Sequence, residues 1–240
     1  MIIFLRLSFN KLDENSKIIL MKYLIAIFKG VLAGLSIGLG GFLFTILTFA
    51  LPNEIGKILG ALAFPIGLSL VCIFKFYLFT GKIGLVFEGK QTKDFYINLP
   101  LMYIGNIIGS LILGYICFAI FRNSDLFNRI TSIAVNKTSF DLGYEYYLSF
   151  IVKSLITGLC VYLAVKPFIL FKNKIYSVLL VFAFIFIFVY IGGDHCVANM
   201  YYFSAANSWT GYAILNIALA TICNSLGTIP GVLLFKAIKK

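Results

Sequence analysis

The sequence predicts an all-α membrane protein: six transmembrane helices arranged as two inverted three-helix repeats, with the second and fifth helices broken. Three observations carry that reading. Of 240 residues, 61% are hydrophobic and 12% charged, against about 45–50% and about 25% in an ordinary soluble domain, and the mean hydropathy is +0.99. Six apolar stretches reach roughly the 20 residues that a helix needs to cross a bilayer. The two halves of the chain also repeat one another at corresponding positions.

Taken in order, residues 1–22 (MIIFLRLSFNKLDENSKIILMK) start apolar but are interrupted by Arg6 and Lys11, with no small-residue cleavage site after them. They read as an amphipathic cytoplasmic arm and not as a removed signal peptide. Residues 23–240 then form the six-span domain, with repeat one at about 23–121 and repeat two at about 144–240. The spans are Gly30 to Leu51, Ile58 past Lys75 to Gly81, Phe95 to Phe121, Tyr146 to Val165, Ile175 to Gly193 and roughly Tyr212 to Phe235. Between the fifth and sixth, CVANMYYFSAANSWTGY carries no charge, which predicts a return into the membrane and not a solvated loop.

Each half opens on a matching heptapeptide, KGVLAGL from Lys29 and KSLITGL from Lys153. In each, the next span is interrupted, at LFTGK (Leu78 to Lys82) and GGDHCVAN (Gly192 to Asn199), and the third carries an Asn near Gly, Asn106 and Asn224. Three spans per half force opposite orientations. Interrupted segments at corresponding places in inverted halves point to a transport site, because broken helices bring backbone dipoles and polar side chains to the membrane midplane.

A formal net charge of +11 in so apolar a chain points to membrane orientation and not to nucleic acid. Fourteen basic residues fall on the terminal side: Arg6, Lys11, Lys17, Lys22 and Lys29; Lys82, Lys90 and Lys93; Lys166, Lys172 and Lys174; Lys236, Lys239 and Lys240. The opposite loops hold four, Lys57, Arg122, Arg129 and Lys137. Both termini are therefore expected in the cytoplasm, in a plasma or inner membrane. The five cysteines are scattered without a CxxC pair and the chain has one His, so neither a metal nor a cofactor is expected.

Among polar residues, His195 stands out beside Asp194, inside an uncharged stretch where an ionisable group needs a partner or a water path. Thr80, at the matching break, offers a hydroxyl to His195 or to a permeant. Asn199 suits the bridging of backbone groups that the break leaves unpaired. Lys153, seven residues into its span, either snorkels or attracts anions into a vestibule. Gly34, Gly38, Gly40 and Gly41, with Gly105 and Gly109, are spaced for close helix approach.

LFTG after the second span, GGDHCVANMY after the fifth, LAV closing the fourth and the Asn-Gly third spans together resemble the formate/nitrite transporter family, in its order and spacing, from about Lys22 onward. The resemblance implies an aquaporin-like protomer, a homopentamer with one pore per subunit, and passage of small monovalent weak-acid anions (formate, nitrite or hydrosulfide) together with protons. By motif, His195 is the central pore histidine, Thr80 its hydroxyl partner, Lys153 the vestibule lysine, and Leu78 and Phe79 constriction residues; Asn199 and Asn224 are placed at the pore too. The chain departs from the family pattern at Lys82, where Asn is usual, at Asp194, where Glu is usual, and at Gly158, where the missing fourth-span Asn removes a pore-side amide. The alternatives are a neutral small-solute channel, which paired Asn-Pro-Ala half-helices would mark, and an intramembrane enzyme using Ser204 or Ser208. The first lacks its motif and the second lacks a Gly-x-Ser-x-Gly element.

Overall fold

A computed structural model describes residues 13–51, 53–89 and 91–238. Twelve α-helices run through the described residues: α1 Glu14–Ala50, α2 Asn53–Ala63, α3 Pro65–Ile73, α4 Phe79–Lys82, α5 Gly84–Glu88, α6 Lys93–Phe121, α7 Asp125–Asn136, α8 Tyr144–Leu170, α9 Lys174–Tyr190, α10 Cys196–Ala205, α11 Gly211–Leu226 and α12 Thr228–Ile238. With α2–α3 read as one bent span and α11–α12 as another, the long apolar helices number five; α9, 17 residues of apolar sequence, completes six. The first span starts earlier than its apolar core suggests. Asp13 caps α1 by accepting the Ser16 N–H at 3.2 Å, which also holds its carboxyl below the usual range, and the helix then continues unbroken for 37 residues, about 55 Å. Of the expected N-terminal arm, residues 1–12 lie outside the described part, as do Lys90, Lys239 and Lys240, and residues 14–22 are the opening turns of α1.

What closes helices on one another is the absence of side chains. A Cβ at Gly34 would overlap the carbonyl oxygen of Asn106, and one at Gly109 that of Val31, so α1 and α6 meet backbone to backbone. The second half repeats the contact: a Cβ at Gly158 would overlap the Asn224 oxygen, and one at Gly227 that of Leu155, locking α8 to α11. Without a hydrophobic drive between helices in lipid, such close approach is what holds spans together. Gly158 is therefore a packing residue, and an Asn side chain there would meet a neighbouring backbone and not a pore.

The uncharged stretch after α9 does return into the fold. All ten residues of α10 are buried, packed against α6, α1 and α11. The connection between repeats is more structured than its charges suggest. It forms α7, which buries Leu126, Ile130, Ile133 and Ala134 and is pinned by Arg129 Nε donating to Thr48 Oγ1 at 3.0 Å.

Candidate functional site

Both breaks are built by the same backbone rule. After α3, the chain reverses through Lys75 in the left-handed region (φ 56°), and after α9 through Gly192 (φ 71°). The reversal leaves peptide groups unpaired at a buried point of the fold, and each break is satisfied by one asparagine from the third span of its own repeat. Asn106 Oδ1 accepts the Phe79 N–H at 2.8 Å, while its Nδ2 donates to Tyr77 O at 2.8 Å and Gly30 O at 2.9 Å. Asn224 Oδ1 accepts the Cys196 N–H at 3.0 Å, while its Nδ2 donates to Asp194 O at 2.8 Å and Ser154 O at 2.9 Å. One residue sits between the gripped peptides in each case: Leu78 in the first break, His195 in the second. Asn224, expected at the pore, stands behind it and holds its wall.

The imidazole of His195 is 2% exposed. Its Nδ1 accepts the Ala198 N–H at 3.2 Å, capping α10, and its Nε2 lies 2.8 Å from Thr80 Oγ1 across the two breaks. Because Nδ1 is occupied as an acceptor, the ring proton is on Nε2 and the neutral ring donates to Thr80. The ring of Phe188 stacks beside it at 6.1 Å.

Leu78 and His195 face a narrow space of about 10 Å³, walled also by Ile37, Phe64, Leu68, Val161, Ile185 and Phe188, which is about the volume that admits one water. This pinch separates two larger cavities. The one away from the chain termini, about 300 Å³, takes in His195, Asn199, Lys153, Arg129 and Lys137. The one on the terminal side, about 630 Å³, takes in Leu78, Tyr77, Lys29, Lys75, Lys82 and Lys174. Phe79 lines neither cavity nor the pinch. Its backbone is held by Asn106 and its ring packs on Tyr103 at 4.5 Å, so the aromatic walls of the pinch are Phe64 and Phe188, which no local motif marked.

Two ion pairs brace the breaks. Lys137, at the end of α7, reaches Asp194 Oδ1 at 3.0 Å and Gly193 O at 3.3 Å, and Asp194 also accepts from Asn199 Nδ2 at 2.8 Å. Asn216 joins them by accepting from Asn199 and donating to Lys137 O. Below the first break, Lys166 donates to both oxygens of Glu88 at 2.6 Å, and Tyr162 adds a third bond at 2.8 Å. Among the described residues Lys153 is in neither pair nor any other. The Lys137 pairing was missed in the sequence because a charge 57 positions away on a loop gives no local signal.

Inverted three-helix repeats whose broken helices meet across a narrow, cation-flanked passage define a multi-pass membrane transport protein. The formate/nitrite transporter family model matches residues 11–238, and the chain belongs to that family. It is 30% identical over 213 residues to the uncharacterized transporter YrhG of Bacillus subtilis (strain 168), an alignment covering 82% of this chain and 78% of that protein. Its fold matches that of a pentameric formate channel with formate bound (24% identity, TM-score 0.69, covering 90% of this chain and 95% of that one). It matches equally an FNT family ion channel (24% identity, TM-score 0.71, 98% and 93%). The aquaporin-like protomer implied by the sequence motifs is the fold found.

Proposed function

We propose that the protein conducts small monovalent weak-acid anions, of the formate, nitrite or hydrosulfide class, with passage linked to protonation at His195. The observation that carries this is His195, bonded to the buried Thr80 behind it, at an apolar pinch between two lysine-bearing cavities. A bare anion entering such a pinch loses a hydration energy of order tens of kcal/mol in the low-dielectric limit, whereas its neutral conjugate acid loses only a few. Lys153, free of a carboxylate partner, concentrates the anion at the mouth. The ring first takes up a proton at Nδ1 from the 300 Å³ cavity that it borders, giving up the Ala198 N–H bond, and the imidazolium so formed releases its Nε2 proton through the Thr80 hydroxyl to the anion, which returns the ring to neutral. The lining of Ile37, Leu68, Leu78 and Val161 opposes hydrated cations.

The test is His195→Asn. Asparagine is a good N-cap and retains an acceptor for the Ala198 N–H, but it does not titrate. We expect a folded protein whose uptake of formate or nitrite no longer varies between roughly pH 5 and 8, the range in which an ordinary imidazole changes charge. Overlapping normalised pH profiles for variant and wild type at equal membrane abundance would sink the role of His195.

Two further readings accompany this one. The distribution of basic residues supports a cytoplasmic position for both termini, so a reporter after Lys240 is expected to read cytoplasmic and one between Arg122 and Lys137 external; the reverse pattern rejects the orientation. The pentameric state of the matching formate channel supports a homopentamer, and native mass spectrometry that finds only monomer or trimer rejects it.

A further inference from the structure

We propose that the cavity on the side of the chain termini is a binding site for a free dianionic phosphate group, which, when seated there, obstructs the pore. The effect on flux rests on the anion-channel reading above; the binding does not.

Four lysines from four different elements line this 630 Å³ space: Lys29 from α1, Lys75 from the first break, Lys82 from α4 and Lys174 from α9. No carboxylate is among the residues that line it. Elsewhere, Lys137 is neutralised by Asp194 and the buried Lys166 by Glu88. Here the partners are π faces and carbonyls. Lys29 and Lys82 share the ring of Tyr77, at 5.0 and 5.9 Å from its centroid, and Lys174 donates to Phe168 O and Phe171 O at 2.6 and 2.8 Å.

Lys75 adds a second kind of observation. It occupies the left-handed position for which the other repeat uses Gly192, although a side chain there is disfavoured. A lysine held where glycine is the easier residue puts its charge at the mouth of this cavity at a conformational cost.

Like charges around a cavity with walls such as Val71, Leu78, Val165 and Phe168 repel through a low-dielectric medium. A monovalent permeant neutralises one of them. A phosphate dianion neutralises two in a single binding event and offers several acceptor oxygens to converging N–H donors. The site therefore ranks anions by charge, and the occupant lies directly in front of Leu78.

The experiment uses the full protein in phosphatidylcholine nanodiscs at fixed ionic strength, titrated at pH 7.5 with inorganic phosphate and, separately, formate, by calorimetry. Phosphate is expected to bind at least tenfold more tightly than formate, and Lys75→Asn/Lys82→Asn to weaken phosphate at least tenfold while eluting as the wild-type oligomer. Asparagine tolerates the left-handed backbone at 75 and is the residue usual at position 82 in the family. If the double variant fails to assemble, Lys75→Gly alone is expected to weaken phosphate at least threefold. The half-buried Lys57→Asn, on the other side of the molecule, is the charge control and leaves phosphate affinity within twofold. Equal affinity for phosphate and formate, or an unchanged double variant, overturns the proposal. So does loss of phosphate binding when phosphatidylglycerol replaces phosphatidylcholine, which assigns the cavity to a lipid headgroup. In proteoliposomes, phosphate on the terminal side should slow formate uptake by wild type and not by the double variant. Phosphate binding without any formate uptake rejects the permeant and keeps the site; formate uptake without phosphate binding does the opposite.

Discussion

At the first break a lysine turns the chain and a leucine reaches the pinch; at the second a glycine turns it and a histidine does. Behind both stands an asparagine with the same three bonds to the same three kinds of backbone group. The scaffold is thus symmetric and the chemistry is not. The backbone problem, unpaired peptide groups away from water, is identical in the two repeats and has one economical answer. The side chain aimed at the passage is free of that constraint, so the repeats diverged there, one supplying an apolar plug and the other a titratable donor.

The most severe way to probe this symmetry is to remove an anchor. Asn106→Leu and Asn224→Leu each strip three bonds from buried backbone groups. At about 1–3 kcal/mol for each group left unpaired, either change consumes most of the roughly 5–15 kcal/mol that holds a typical domain folded. We expect both variants to be absent from the membrane fraction, and one that accumulates normally while the other vanishes would break the equivalence of the two breaks.

A smaller effect separates two lysines that share one cavity. Lys137→Leu leaves Asp194 buried without its cation and should cost about 3 kcal/mol, lowering the midpoint of thermal unfolding in detergent, with recovery when Asp194→Asn is added. Lys153→Leu should leave that midpoint unchanged and reduce anion flux. If the two variants show the same pattern, the division into a bracing and an attracting lysine is wrong.

The smallest effect is at the turn itself. Lys75→Gly gives the first break the residue of the second and relieves a left-handed side chain, a gain on the order of 1 kcal/mol that denaturation of the purified protein can register. A loss of stability instead would mean that the ammonium group supports the turn.

The sequence made the scaffold legible and much of the pore lining illegible. Span limits follow from apolar length, and the breaks from polar residues where a helix should have continued, which already suggests a Thr80–His195 pairing. The role of Asn224 was harder to read, because an amide in a membrane segment serves equally to line a passage or to satisfy backbone behind it, and only its three partners decide. Phe64 and Phe188 are two of 25 phenylalanines, and which ones face the pinch depends on helix rotation, which composition does not encode. Gly158 looked like a missing amide because a glycine carries no sign of what presses against it. Lys137 carries no local sign of its role, since its partner stands 57 positions away, at the break of the second repeat.

The burial of α10 has a consequence for how the protein is made. All ten of its residues are covered by protein, and at about 15 Å it is too short to cross the bilayer, so it presents neither the length nor the lipid-facing surface of a segment that inserts by itself. Its seat is formed largely by α1 and α6, which leave the ribosome well before it. The wall that carries His195 is therefore complete only once a late, non-inserting segment finds a groove laid down by the first half of the chain. Until then the spans of the nascent protein lack the wall that carries His195.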